Sequence, residues 1–316
     1  MNVAHLVALS VAAILILVLG ALALWSRMLA RYAEALVPAD GQFLDVPGAR
    51  LHFVDLGPRD GPAIVMVHGL MGQLRNFTHS LAGRLARDHR VIVIDRPGWG
   101  YSRLNGPRPG VGAQAEMIAA LIATLELDRP LVVGHSMGGA VALALALAHP
   151  ERLRGLALIA PFTQPGAALP EPFRGLQLPT MLRPLIGATI ATPIALFSGK
   201  AKSLQIFAPD PVPNDFAIRG GGVLSIRSRN FRSGAFEIGI APTEIAALAE
   251  RYANIKLPVA ILYGRQDAVL DPFLHGAKTA EMIAHARLDL IDGGHMLPIT
   301  RADATENWLR SAIDIG

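Results

Sequence analysis

The feature that most constrains this chain is a rhythm. From about residue 42 onward, short β-rich apolar runs appear in sequence, and stretches of helical period separate the later ones. The runs are Gln42–Val46, Leu51–Asp55, Ala63–Val67, Val91–Ile94, Leu131–Val133, Gly155–Ile159, Val259–Tyr263 and Leu288–Ile291. The helical stretches are Leu74–Ala86, Ala113–Leu125, Met137–Ala148, Phe273–His285 and Ala302–Ile313. Strands alternating with helices predict an α/β fold with a mostly parallel sheet covered on both faces. The first two strands are close together and joined at Pro47-Gly48, which predicts an antiparallel hairpin.

The rhythm breaks between Pro161 and Pro242. An interruption this long is not an ordinary loop, and its apolar residues Ile206, Phe207, Phe216, Ile218, Phe231 and Phe236 argue against a disordered linker. We expect a cap over the carboxyl edge of the sheet, with a helical fragment at Leu182–Phe197.

Residues 1–26 contain no Asp, Glu, Lys or Arg. The run Val3–Trp25, at 1.5 Å per residue, is long enough to cross a bilayer core of roughly 30 Å. A cleaved secretory signal needs a positive n-region and a shorter apolar core, and a helix packed with one side against a soluble core would be apolar on that face only. The expectation is therefore a single-pass anchor. Arg27 and Arg31 follow it, which places the rest of the chain on the cytoplasmic side. The expected organisation is an anchor at 1–26, a neck at 27–41, a first core segment at 42–160, a cap at 161–242 and a second core segment at 243–316. A neck of this length reaches at most roughly 55 Å when extended.

Composition removes several chemistries. The charged fraction is 17%, net charge is +4 and the arginines are scattered, so no basic stripe for nucleic acid is present. The chain has no cysteine, which excludes disulfides, thiolate metal sites and a Cys nucleophile.

The sharpest motif is Gly134-His135-Ser136-Met137-Gly138-Gly139, directly after one apolar run and directly before an Ala/Leu helix. Gly-x-Ser-x-Gly in this setting is the pattern of a nucleophile elbow, where Ser sits on a sharp strand-to-helix turn. A serine hydroxyl needs a base oriented by an acid. Of the ten histidines, His295 stands in the loop after the last strand, at the carboxyl edge that Ser136 would share. Asp267 ends Tyr263-Gly264-Arg265-Gln266-Asp267 at the same edge and completes the order Ser, Asp, His. Asp271, just before Pro272, is the alternative acid and reads better as a helix cap. Donors for an oxyanion are expected from the N–H of Met137 and from the loop His68-Gly69-Leu70-Met71-Gly72, with Leu70 the candidate.

No cofactor or metal is expected. The Gly-rich loop lacks a following Gly-Lys-Ser/Thr, Gly98-Trp99-Gly100 lacks a third glycine for a dinucleotide, and there is no His-Glu-x-x-His.

Taken together, His68-Gly69, Asp95-Arg96-Pro97-Gly98-Trp99-Gly100-Tyr101-Ser102, the elbow, Gly264-Arg265-Gln266-Asp267 and Gly294-His295 resemble the α/β-hydrolase superfamily from Gln42 to the end. The resemblance implies a central eight-stranded sheet, a Ser136–Asp267–His295 triad and a helical cap after the sixth strand. Asp95–Ser102 would be a structural turn that epoxide hydrolases and haloalkane dehalogenases also carry. Those enzymes use an Asp nucleophile where this chain has Ser136, which argues against both activities. With its apolar N-terminus the chain looks like membrane-anchored monoacylglycerol-lipase-type esterases. The expected substrate is a small-molecule carboxylic ester, neutral and lipophilic with a medium or long acyl or alkyl group, and the expected macroscopic partner is a lipid bilayer. Carbon–carbon bond hydrolysis, cofactor-free perhydrolysis and a non-catalytic binding role are the alternatives.

Overall fold

The computed structural model describes residues 2–166 and 168–313. Nine strands form one sheet: β1 (Gln42–Val46), β2 (Ala49–Leu56), β3 (Ala63–Val67), β4 (Arg90–Ile94), β5 (Arg103–Leu104), β6 (Leu131–His135), β7 (Gly155–Ile159), β8 (Val259–Gly264) and β9 (Ala286–Ile291). Their order is β1-β2-β4-β3-β6-β7-β8-β9, with the two-residue β5 beside β2. The β1–β2 hairpin is antiparallel, as is β2 against β4, and every pairing from β4 to β9 is parallel. All eight expected runs are strands. β5 has no counterpart among them, because two residues carry no readable period.

The central strands are buried on both faces, as a parallel sheet requires. Val65, Val67, Val132, Leu156 and Ile261 point into one core, closed by helices Val111–Thr124 and Met137–Ala148. Ile64, Met66, Val133, Ala157 and Leu262 point into the other, with Phe77, Leu81, Trp308 and Leu309. The expected helix at Leu74–Ala86 is two short turns, Arg75–Thr78 and Ala82–Leu85. The expected Phe273–His285 helix is a wide π turn, Pro272–Ala277, followed by Lys278–Met282.

Between β7 and β8 lie three principal helices, Arg183–Ala188, Ala191–Phe207 and Ser228–Ala249. The fragment expected at Leu182–Phe197 is broken: the Thr180–Ala188 and Ala191–Phe207 segments meet at 85°. Position 242, expected to end the insertion, falls inside the third helix. Proline is a helix breaker in isolation. Here burial of Ala241, Ile245, Leu248 and Ala249 in the first core carries the helix through Pro242.

The N-terminal helix runs unbroken from Val3 to Leu36, and its side chains up to Ala21 are almost all exposed. It is the one described helix long and apolar enough by itself to cross a membrane. The neck expected at 27–41 continues this helix as far as Leu36. Ser26 Oγ donates to the Thr189 carbonyl at 2.5 Å, and Ala33 and Val37 are buried against Leu224 and Ile226. Arg227 Nη1 reaches Glu34 Oε1 at 3.1 Å, and the Tyr101 hydroxyl donates to the Val37 carbonyl. These contacts keep the backbone helical and lock the base of the helix onto the insertion.

Candidate active site

Four segments bring the expected residues to one edge of the sheet. Ser136 follows β6, the loop with Leu70 follows β3, Asp267 follows β8 and His295 follows β9. Those strands are parallel members of one sheet, so their carboxyl ends face the same way.

Ser136 has φ +53° and ψ −121°, a conformation that costs an L-residue about 1–3 kcal/mol. Such strain persists only where the surroundings over-determine it. Here Ser136 N–H is held by the Ile159 carbonyl at 3.0 Å, and the Ser136 carbonyl accepts from Gly139 and Phe162. Two glycines permit the close packing. A Cβ on Gly138 would lie 2.1 Å from the Val67 carbonyl oxygen, and one on Gly69 would lie 2.9 Å from Ser136 Cβ. The backbone of the Leu70 loop thus runs directly against the serine.

His295 Nδ1 donates to Asp267 Oδ2 at 2.8 Å, and both side chains are buried. The other carboxylate oxygen, Oδ1, accepts from the N–H groups of Val269 and Leu270 at 2.8 and 3.0 Å. Burial pushes the Asp267 carboxyl up, but His295 and these two N–H groups outweigh it and hold the group below its usual range. With Nδ1–H committed to the carboxylate, the lone pair of a neutral imidazole sits on Nε2. Asp271 instead caps the turn after it, accepting from Phe273 and Leu274 N–H.

Ser136, His295, Gly69 and Leu70 all line one cavity, part of it open to solvent. Its other wall comes from the insertion, with Phe173, Leu176, Ala195, Gly199, Lys202 and Ile206. Met137 is the first residue of its helix, so its N–H has no intrahelical acceptor and the helix dipole is positive there. Among the described residues no group of three or more His, Asp or Glu is arranged to hold a metal.

Two sets of supporting contacts are not among those expected from sequence. His135 Nε2 donates to the His295 carbonyl at 3.0 Å, fixing the backbone of that loop, and burial together with His295 lowers its pKa to about 3. The one signal available for it is adjacency to Ser136. Arg96 Nη1 and Nη2 reach the two carboxylate oxygens of Glu237 at 2.8 and 3.1 Å, and Nη2 also donates to the Gly69 carbonyl at 3.2 Å. Glu237 further accepts from Trp99 Nε1 at 2.8 Å. A partner 141 residues away gives no local pattern to read.

Comparison with known proteins places the fold. The family model of the alpha/beta hydrolase fold matches residues 62–302. The magnesium-chelatase 30 kDa subunit of Rhodobacter capsulatus is 31% identical over 262 residues, covering 81% of this chain and 88% of that protein. The 2-hydroxy-6-oxo-6-phenylhexa-2,4-dienoate hydrolase of Comamonas testosteroni is 28% identical over 284 residues, 85% of this chain and 92% of its own length. Among solved structures, a membrane phospholipase A described as a bacterial virulence factor superposes with a TM-score of 0.70 at 22% identity, covering 98% of this chain and 96% of its own. By fold, motif order and family match, this chain belongs to the α/β-hydrolase fold family.

Proposed function

We propose that the protein is a membrane-anchored serine hydrolase that cleaves lipophilic carboxylic esters through an acyl-enzyme on Ser136. The observation that carries this reading is the strained Ser136 sharing a cavity wall with His295, whose Nδ1–H is committed to Asp267. His295 Nε2 takes the proton from the Ser136 hydroxyl as Oγ attacks the acyl carbonyl. The oxyanion is held by the N–H groups of Leu70 and Met137. Collapse releases the alcohol, which leaves with the proton from His295. Water then attacks the acyl-enzyme, its proton passes to His295, and the acid departs as Ser136 recovers its hydrogen.

The apolar cavity wall supports a lipophilic acyl or alkyl group, at roughly 0.8 kcal/mol for each methylene buried. The uncharged stretch before Arg27 supports the anchor, and Arg27 with Arg31 supports a cytoplasmic catalytic domain. A reporter fused after residue 316 tests that orientation by the compartment in which it is active.

The direct test is a fluorophosphonate probe. Native protein is labelled and Ser136→Ala is not; equal labelling of the two overturns the nucleophile. A homologous ester series then reads the pocket, with kcat/KM expected to rise with chain length until the cavity is full.

A second reading rests on the relatives. Several curated relatives at 23–30% identity are named as hydrolases of 2-hydroxy-6-oxo dienoates. That favours carbon–carbon cleavage at the same serine. The relative named as a magnesium-chelatase subunit favours a role in an assembly, where the fold would act by binding. Turnover confined to such dienoates selects the first of these. Absence of any probe labelling in folded protein selects the second.

A further inference from the structure

The helix Ala191–Phe207 has two working faces. Ala195, Gly199, Lys202 and Ile206, spaced by four, three and four residues, line the cavity that contains Ser136. That spacing defines one side of a 3.6-residue period. The opposite side carries Ile194, Phe197 and Leu204, which are 53%, 78% and 54% exposed. The segment before the bend adds Met181 and Leu185, at 84% and 49%. A folded domain seldom leaves so many large apolar side chains together in water.

Three observations on this surface point to lipid as its occupant. The patch lies beside the anchor, since the base of the N-terminal helix touches both helices that carry it and Ser26 bonds to Thr189 between them. Taken as one bent segment, Thr180–Phe207 is itself apolar and long enough to pass as a membrane element. Charge is also complementary to anionic headgroups: residues 180–207 contain no Asp or Glu, and Lys200 stands exposed on the helix that carries the patch.

We infer that the outer face of the Ala191–Phe207 helix, with the turn before it, lies in the bilayer interface beside the anchor, so that the cavity is reached from lipid across this single helix. The inference rests on the membrane-anchored reading and deepens it. An amphipathic helix of this kind lies in the interface plane with its apolar side in the acyl boundary. One helix diameter, roughly 10 Å, then separates the acyl region from the cavity wall. A lipid-borne ester need not cross bulk water to reach Ser136.

The chain has no cysteine, so single-Cys variants of the full-length protein can be labelled cleanly. Phe197→Cys and Leu204→Cys are labelled with bimane in phosphatidylcholine/phosphatidylglycerol vesicles with and without nitroxide-bearing lipid. Leu17→Cys reports the anchor, and Asp303→Cys, exposed on the C-terminal helix, reports water. Quenching at 197 and 204 is expected to match that at 17 within about twofold, with none at 303. Quenching at 17 but not at 197 or 204 overturns the inference and leaves the anchor standing. A blue-shifted but unquenched label at 197 also overturns it, because the patch is then covered by protein, such as a second copy. Quenching at 197 and 204 without quenching at 17 keeps the docked cap and removes the anchor; no quenching at any position removes both.

Discussion

Glu237, on a helix of the insertion, accepts from both terminal nitrogens of Arg96, at 2.8 and 3.1 Å, while one of those nitrogens holds the Gly69 carbonyl of the loop beside Ser136. The pair is buried, so a charge left alone there has no water to turn to. Removing one partner of such a pair typically costs about 3–5 kcal/mol. Glu237→Ala is therefore expected to lower stability by about that much in urea titrations. Arg96→Met combined with Glu237→Leu should be less harmful than the sum of the single changes. Strict additivity would show that the two side chains are not coupled.

Asp267→Asn preserves the volume of the acid but lets the amide donate to His295, favouring the wrong imidazole tautomer. The expected result is a fall in kcat of roughly 10⁴-fold with little change in KM. An unchanged kcat would remove Asp267 from the catalytic set. Asp271→Asn serves as the comparison, since Asp271 only caps the following turn, and it should leave kcat within a few fold.

Burial lowers the pKa of His68, with help from the Arg96 cation, and that of His135 from 6.5 to about 3. His68 has no room for a second proton: Nδ1–H donates to the Gly69 carbonyl and Nε2 accepts from Arg96 N–H. Between pH 6.5 and about 3 the unfolded chain binds a proton at each ring while the folded chain does not. Stability is thus fully present above pH 6.5 and falls with pH through that window, by up to about 1.4 kcal/mol per pH unit for each histidine. Urea midpoints at pH 7, 6 and 5 measure this. A midpoint that holds constant or rises on acidification would contradict the neutral, buried assignment.

Two glycine substitutions should have opposite signs. At Gly138 a new methyl would meet the Val67 carbonyl at 2.1 Å, and backbone cannot step aside cheaply. Gly138→Ala is expected to lose several kcal/mol of stability, probe labelling or both. At Gly112, near the start of the Val111–Thr124 helix, nothing lies within 4 Å. Gly112→Ala should stabilise by about 0.4–1 kcal/mol through a less flexible unfolded chain. Thermal unfolding of the two variants decides both.

Periodicity alone determined the eight principal strands and their α/β class, because a strand buried on both faces must be a short, nearly uninterrupted apolar run, as Leu131–Val133 and Ala63–Val67 are. Local order also pointed to Ser136, Asp267 and His295, since a loop that directly follows a parallel strand must emerge at the sheet's carboxyl edge. What tertiary structure decided depends on partners distant in sequence. Glu237 finds Arg96 across 141 residues, and His135 finds the His295 carbonyl across 160. Pro242 stays helical because the core beneath it rewards burial, overriding a local breaker. The neck expected at 27–41 is mostly a docked helix because Ser26, Glu34 and Val37 meet Thr189, Arg227 and Tyr101, partners too distant along the chain for a local pattern to foretell.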